Sequence, residues 1–378
     1  MAKVNCLPVD DDVHGFGRST FVYLLVLALL AMIGHIGGLM SLLALTFEDL
    51  QSALQGAGLS AAHAQDIFRL VYKGTVEREE LSQAVQDFVD EQGGFSLPSI
   101  ADTTVSGDGW TTKYLLEQCD GTQVESVLMG FPGRHTACLS SQVGCAMGCV
   151  FCATGQMGFK RNLTVAEIVA QVVVLNRELA KRGQEPLRNI VMMGMGEPLH
   201  NFEAVRQALE IITDNRAIGV GQRRVTISTV GHIPGIKKLA DTDANYELSI
   251  SLHGASDEER SQLIPVNKRW PLQDLLAACE YHAEKRGRSV LVAWTLIAGA
   301  NDSDDHAHRL AALLKGRPVH LNLIPLNPTE GFDGRPPDQE RIERFHHIVR
   351  TEAEIPVTTR QRRGIDVGAG CGQLATKK

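Results

Sequence analysis

Aromatic residues are scarce: Phe, Trp and Tyr make up 5% of the 378 residues, so no stacking platform for single-stranded nucleic acid runs along the chain. A surplus of positive charge is missing too. The formal net charge is −7, and any nucleic-acid partner must be met by a local basic surface against a weakly repulsive overall field. There is no disulfide scaffold: of eight cysteines, three fall within eight residues, while Cys6, Cys119, Cys138, Cys279 and Cys371 are scattered. That distribution suits a reduced, cytoplasmic protein with a metal site. Internal repeats and low-complexity segments are absent. With 44% hydrophobic and 21% charged residues, the composition is that of an ordinary globular protein.

Charge is also absent from Phe21 to Leu45, a stretch of 25 residues without Asp, Glu, Lys or Arg. It is long enough to span a bilayer. Three readings compete: a membrane anchor, a buried or disordered extension, and a start codon assigned too early, with translation beginning at Met32 or Met40. The last is favoured, because Leu42–Leu50 reads as the entry to an amphipathic helix. Asp10, Asp11 and Asp12 before the run argue against a secretory signal, which has a basic start.

From Thr46 the pattern becomes regular. Thr46-Phe-Glu-Asp49 has the form of a capping box. Leu50, Leu54, Ile67, Phe68, Leu70 and Val71 lie at helical spacing through two helices to about Gly74. A third helix with Leu81, Val85 and Phe88 ends at Gly93-Gly94. The spacing therefore predicts a helical domain over 46–95, preceded by the apolar extension 1–45. Residues 96–137 form a linker and a β-hairpin, with alternating runs Thr111–Leu116 and Val124–Met129 around Asp120-Gly121. Beyond the cysteine cluster, helical stretches alternate with apolar strands at Asn189–Met193, Arg224–Ser228, Glu247–Leu252, Val290–Leu296 and His320–Ile324. Alternation of this kind predicts βαβ units and a partial (β/α)6 barrel over 138–355, with a C-terminal segment 356–378.

Cys145, Cys149 and Cys152 have C-x3-C-x2-C spacing. Three thiolates on a [4Fe–4S] cube leave one iron open to a ligand such as the amino and carboxylate groups of S-adenosylmethionine (SAM). Electron transfer to the sulfonium then gives a 5′-deoxyadenosyl radical. The competing reading is zinc, which takes four ligands, usually in two spaced pairs; no second C-x2-C or H-x3-5-H pair stands nearby. Met193-Gly-Met-Gly-Glu-Pro198 follows an apolar strand, where a glycine-rich turn lets the backbone approach a ligand and Glu197 can accept from its amino group. This is not a dinucleotide fingerprint, since the third glycine is missing. Ser228, Ser251, His253 and Asn327 fall at the ends of later strands and face the same mouth; turn caps are the plainer alternative for each.

The motifs Cys138-Leu-Ser-Ser-Gln-Val-Gly-Cys145, Cys149-Val-Phe-Cys-Ala-Thr-Gly155, Gly158-Phe-Lys-Arg-Asn-Leu-Thr164, Gly194-Met-Gly-Glu-Pro-Leu-His-Asn201, Arg224-Val-Thr-Ile-Ser-Thr229, Leu252-His-Gly-Ala255 and Cys371-Gly-Gln-Leu374 resemble the RlmN/Cfr family of radical SAM RNA methyltransferases. The resemblance covers roughly residues 46–374. It implies that Cys145, Cys149 and Cys152 hold the cluster and that Gly196, Glu197, Ser228, Ser251, Leu252, His253 and Asn327 contact SAM. It further implies that Glu125 is the proton acceptor, that Cys371 carries the methyl group, and that Cys138 resolves the RNA adduct through a transient disulfide with Cys371.

Taken without the resemblance, Cys138 reads as a buried apolar cysteine, Cys371 as a tail thiol and Glu125 as a solvent-facing strand residue. With it, the expected activity is methylation of an adenosine ring carbon in 23S rRNA and possibly tRNA, using two SAM molecules per turnover. C2 is favoured over C8 by Gly155-Gln-Met-Gly-Phe159. An electron donor such as a flavodoxin or ferredoxin system is implied, with a monomeric protein and no membrane partner. Lys160-Arg161, Gln222-Arg-Arg224, Lys268-Arg269 and Arg360-Gln-Arg-Arg363 are candidates for phosphate contacts. Two other classes compete: a radical SAM enzyme with a different substrate, and an Fe–S electron carrier or membrane-tethered sensor. A carrier normally caps all four irons, and no fourth cysteine lies close by.

Overall fold

The computed structural model describes residues 41–376. Most of the apolar run, and with it the anchor and start-codon readings, lies outside the described residues. Among those described, no helix is long and apolar enough to cross a membrane.

The amphipathic helix expected to begin near Leu42 starts later. Leu42–Ala44 forms a separate 3-10 turn, and Thr46, in extended backbone, caps α1 (Phe47–Gly56). The Thr46 side chain accepts from the Asp49 amide at 3.2 Å, and Asp49 accepts from the Thr46 amide at 3.3 Å, so the expected capping box is present. The second helix, α2 (His63–Phe68), continues as a wider turn through Lys73. The third, α3 (Gln83–Glu91), starts after Leu81, which is buried beside it. Leu42, Leu43, Leu50, Leu54, Ile67, Phe68, Val85 and Phe88 form the core of this helical part. Arg216 fastens it to the rest, lying 4.0 Å over the Phe47 ring and 2.8 Å from Glu48.

Three antiparallel strands follow: β1 (Ser99–Val105), β2 (Thr111–Glu117) and β3 (Gln123–Phe131). The Asp120-Gly121 turn joins β2 to β3 with Glu117 opposite Gln123, as the hairpin signal predicted. β1 was not predicted; it is a polar, almost wholly exposed edge. β4 (Arg134–Cys138) pairs antiparallel with β3 and begins the parallel part. After it come the short β5 (Gln142–Gly144), α4 (Ala153–Met157), β6 (Phe159–Asn162) and α5 (Val165–Lys181).

The chain then alternates through β7 (Asn189–Met192), α6 (Phe202–Thr213), β8 (Val225–Thr229), α7 (Ile233–Asp241), β9 (Glu247–Ser251), α8 (Asp257–Leu263), α9 (Leu272–Arg286), β10 (Val290–Leu296), α10 (Asp304–Leu314), β11 (Val319–Pro325), α11 (Gln339–Ala353) and β12 (Val357–Thr359). The main sheet has ten strands in the order β1-β2-β3-β4-β7-β8-β9-β10-β11-β12. The six strands β4 and β7–β11 are the expected partial barrel, and β12 adds a three-residue parallel edge to β11. The hairpin region is thus one edge of the same sheet rather than a separate appendage. Parallel strands buried beneath crossover helices explain the near-continuous apolar runs in β7–β11. They also place every strand's C-terminal end at one rim, where the candidate site residues collect.

Candidate active site

The cysteine loop begins where β5 ends. Gly144 has φ +76°, and a Cβ there would stand 1.8 Å from the Gly158 carbonyl oxygen. Only glycine allows that approach, which lets Cys145 donate its amide to the same carbonyl at 3.0 Å. The loop then packs through Met147 and Cys149 on Ile264, with Phe151, Leu263, Val266 and Trp270 around it. Cys152 caps α4. Burial pushes the Cys145 thiol up to about 12, raises Cys149 well above the ordinary range and raises Cys152 as well. Thiolates become favourable in such a place only beside a cation, and iron supplies that charge. Three thiols in C-x3-C-x2-C spacing, without a second ligand pair beside them in sequence, suit the corners of a polynuclear cluster better than zinc.

The ends of the parallel strands and the turns that follow them carry the next residues. Gly196 has φ +100°, and its missing side chain makes room for Gln142, whose Cβ would lie 2.5 Å from a Cβ at this position. Gln142 accepts from the Glu197 amide at 2.8 Å. Glu197 is buried; its two oxygens accept from the amides of Leu199 at 3.1 Å and Val230 at 2.9 Å. Desolvation raises its carboxyl to about 7. Besides these amides and the Thr229 hydroxyl, the carboxylate keeps acceptor capacity for a ligand ammonium.

Ser228 lies in β8 and Ser251 ends β9. Leu252 donates its amide to Ala293 at 2.9 Å. His253, in left-handed backbone at φ +60°, accepts from the Thr295 amide through Nδ1 at 2.9 Å and meets the Phe151 ring edge-to-face at 5.1 Å. Burial first, then Arg260, lowers its pKa to about 3, so the ring is neutral and carries its proton on Nε2. Asn327 donates to the Cys371 carbonyl at 3.1 Å, while its own Oδ1 is buried without a partner. An orphaned buried acceptor, a buried carboxylate and a neutral imidazole donor fit the amino, carboxylate and adenosyl groups of SAM.

The third component is the C-terminal segment. Gly372 accepts from the Ala153 amide at 2.8 Å, and Leu374 from the Thr154 hydroxyl at 2.6 Å. These bonds seat the segment on the cysteine loop. Cys371 is exposed and Cys138, at the end of β4, is buried; both are free thiols. They are close enough for the charge of Cys371 to reinforce desolvation in pushing Cys138 up to about 12. Cys371 reaches Cys152 in the same way, and Arg360 points at the Cys371 sulfur from 4.0 Å.

Glu125 corrects the plain reading of its strand: it is 4% exposed, because the C-terminal segment covers it. Its carboxylate pairs with Lys113 at 2.9 Å and accepts from the Ala375 amide at 2.9 Å. Its pKa is raised, desolvation outweighing Lys113 and Ala375.

Arg161 is committed elsewhere, to Asp120 and Glu167, and is removed from the phosphate candidates; Lys160, Arg223, Arg224, Lys268, Arg269, Arg360 and Arg362 remain exposed. Two structurally central residues escaped sequence reasoning. Lys113 read as an ordinary strand lysine. Arg260, 1% exposed, spans the carbonyls of Val230, Ser251 and Leu252 and the side chain of Asn267. In Asp257-Glu-Glu-Arg260 it reads as part of a solvated helix, and no local signal betrays it.

Comparison with known proteins places these features in context. Residues 139–311 match the Radical SAM superfamily. The chain is 46% identical to "Dual-specificity RNA methyltransferase RlmN 1" of Myxococcus xanthus, over 87% of this chain and 92% of that one. It is 47% identical to "Probable dual-specificity RNA methyltransferase RlmN 2" of Opitutus terrae, over 87% and 85%. A crystal structure of a radical SAM methyltransferase from Sphaerobacter thermophilus superposes with a TM-score of 0.84 at 42% identity, covering 89% of this chain and 99% of that one.

Proposed function

The chain belongs to the RlmN family of radical SAM RNA methyltransferases, and on that premise we propose that it methylates adenosine at C2 in 23S rRNA and in tRNA through a methylated Cys371. The observation that carries this reading is the seating of the Cys371 segment beside the cysteine loop, through the Gly372 and Leu374 carbonyls, within electrostatic reach of Cys138. A generic radical enzyme has no use for a thiol pair beside its cluster.

In this reading Cys145, Cys149 and Cys152 hold a [4Fe–4S] cluster, and Gly196, Glu197, Ser228, Ser251, Leu252, His253 and Asn327 hold SAM. When bound, two SAM molecules per turnover supply the methyl group and the radical chemistry that activates it. The protein's own part is to carry, orient and release. Cys371 takes the methyl group as a thioether and, after losing one hydrogen atom from it, bonds through that carbon to adenine C2; the adduct's unpaired electron would leave to the one-electron acceptor that the cluster provides when bound. Glu125 accepts the ring proton, a service worth roughly 10²–10⁴ in rate for a positioned base. Cys138 then attacks the Cys371 sulfur: the new S–S bond forms as the S–C bond to the modified base breaks. The released carbon takes a proton, and a disulfide remains.

Two electrons from a flavodoxin or ferredoxin system restore the thiols. The high pKa of Cys138 makes its deprotonation part of its attack on the Cys371 sulfur. Among the exposed basic residues, Lys160, Lys268, Arg269, Arg360 and Arg362 offer local phosphate contacts in a net-acidic chain, whereas Arg223 and Arg224 precede β8 at the opposite end of the sheet. The protein works as a cytoplasmic monomer. Residues 46–95 act as a helical accessory domain, 96–137 as an extension, 138–355 as the catalytic barrel, and 356–378 as the methyl-carrier segment.

The test is mass spectrometry of the purified, reconstituted enzyme and of RNA incubated with it. Cys371 is expected to carry one extra methyl group, lost in Cys371→Ala, and RNA to gain 2-methyladenosine. Cys138→Ala is expected to accumulate a covalent protein–RNA adduct. Active enzyme with unmodified Cys371 would overturn the reading.

A further inference from the structure

The candidate base cannot meet a substrate in the conformation described here. Both oxygens of Glu125 are engaged, one by the Lys113 ammonium at 2.9 Å and one by the Ala375 amide at 2.9 Å. Lys113 also reaches across to the Gly368 carbonyl at 3.5 Å, so one ammonium holds the carboxylate and the tail together. Around it the same segment is tied down by the Gly107 amide on Asp366 at 2.7 Å and by Arg363 on the Gly130 carbonyl at 3.0 Å. Cys371 lies between these ties and those of Gly372 and Leu374 to α4. The residue that must travel between methyl donor and RNA is thus on the segment that roofs the base.

We propose that Lys113 is a positioning residue that couples the two: it orients Glu125 and clasps the Cys371-bearing tail, so that docking of the tail masks the base and its release exposes it. This rests on the roles given above to Glu125 and Cys371.

The chemistry of release favours the reaction. While docked, the tail both buries the carboxylate and donates the Ala375 amide to it; its release removes both and frees a carboxylate oxygen to accept a proton. Lys113 stays behind on β2 and keeps the group ionised against desolvation. Of the charged neighbours, Asp102 on β1 opposes ionisation with a weaker field than Lys113. The other elements facing Glu125 contribute uncharged groups: the Ser140 hydroxyl on its carbonyl and the Met195 sulfur at its amide. When the base acts, a carboxylate lone pair takes the C2 proton, the C–H electron pair stays with the ring, and Lys113 keeps its own proton. Water removes the proton from Glu125 before the next turnover.

The test compares Lys113→Met with Lys113→Arg in the cluster-loaded full chain. Hydrogen exchange of residues 364–376 and the acid limb of the pH–rate profile for single-turnover RNA methylation are measured together. K113M is expected to speed tail exchange about tenfold or more and to move the acid limb up by about one pH unit, since the carboxylate loses its cation. K113R is expected to return both towards wild type. Unchanged exchange and an unchanged acid limb in K113M, or a K113R protein indistinguishable from K113M, would each overturn the proposal. Should K113M not fold, Glu125→Gln removes the ion pair while keeping an acceptor for Ala375, and the same loosening of the tail is expected; an unaltered tail there refutes it. A wild-type enzyme that leaves RNA unmethylated while its tail exchange still depends on Lys113 would refute the function and leave the coupling standing.

Discussion

At the scale of single residues, the cysteine loop depends on an atom that is missing. Gly144 brings the chain within a carbonyl's reach of Gly158, and the backbone bond made there sets the direction in which Cys145 leaves β5. Alanine at this position faces both a left-handed φ, costing roughly 1–2 kcal/mol, and a collision with rigid backbone. Gly144→Ala is therefore expected to fold its barrel, because the loop lies outside the main sheet, but to lose most of its bound iron and sulfide after reconstitution. Metal analysis beside circular dichroism checks both halves. Full iron content in the variant would show that the loop relaxes around the methyl group. Spacing alone disclosed the three cysteines, because cluster ligation is a local demand on sequence. Lys113 and Arg260 stayed hidden for the opposite reason. Lys113 pairs with a carboxylate on the facing hairpin strand and with a tail carbonyl, and Arg260 mostly with backbone carbonyls; backbone acceptors leave no mark in the sequence, and nothing beside either residue differs from a solvated lysine or arginine.

At the scale of elements, legibility followed burial. β2 and β3 alternate in polarity around Asp120-Gly121, and the structure pairs them as that hairpin. β1 escaped because Ser99–Val105 is polar and exposed on almost every side chain, and β12 because three residues carry no period. The hairpin turn is fastened from outside by Arg161, which joins Asp120 at 2.8 Å to Glu167 in the first turn of α5 at 2.8 Å. Glu167 also closes the capping box, accepting from the Thr164 amide at 2.8 Å while Thr164 accepts from its amide at 3.2 Å. Thr164→Ala removes the cap and is expected to cost about 1 kcal/mol in denaturant unfolding.

Asp120 adds a pH dependence. Burial pushes its carboxyl upward, but hydrogen bonds from Arg161 and Thr122 outweigh that and hold it at about 2. A depressed folded pKa contributes stability above the ordinary value of 3.8 and loses it as pH falls towards 2. The sign follows from the unfolded state binding the proton first. The difference in Tm between wild type and Asp120→Asn is expected to be constant from pH 7 to about 4, and then to shrink towards pH 2. A difference that grows on acidification would refute the pairing. The turn is half exposed, so the effect is small and screened by salt.

At the scale of the whole molecule, the proposed function depends on three segments that no local pattern joins. β4 supplies Cys138, the loop after β5 supplies the cluster thiols, and the final residues supply Cys371. The parallel strands β4 and β7–β12 all end at one rim, while β5 and β6, which flank the cysteine loop, pair antiparallel outside that sheet. The tail is brought by bonds to α4, to β2 and to Glu125. Sequence periodicity foretold the rim but had no means of foretelling the tail, whose glycine-rich course makes side-chain-to-backbone contacts rather than a helix or strand.

The arrangement predicts a selective oxidation. In cluster-loaded protein Cys145, Cys149 and Cys152 are occupied as ligands, and the buried Cys279 and the exposed Cys119 have no counterpart to the Cys138–Cys371 coupling. A mild disulfide-forming oxidant is therefore expected to join Cys138 to Cys371 before any other pair, with Cys371→Ser abolishing the product. Non-reducing peptide mapping identifies the linkage. Because Cys371 lies on the roof over Glu125, the cross-link also fixes the tail, so hydrogen exchange of residues 364–376 is expected to slow in the oxidised protein. Equal cross-linking among all free cysteines would mean that the tail does not dwell beside β4. In that case the three segments would have to be assembled by RNA rather than by the fold.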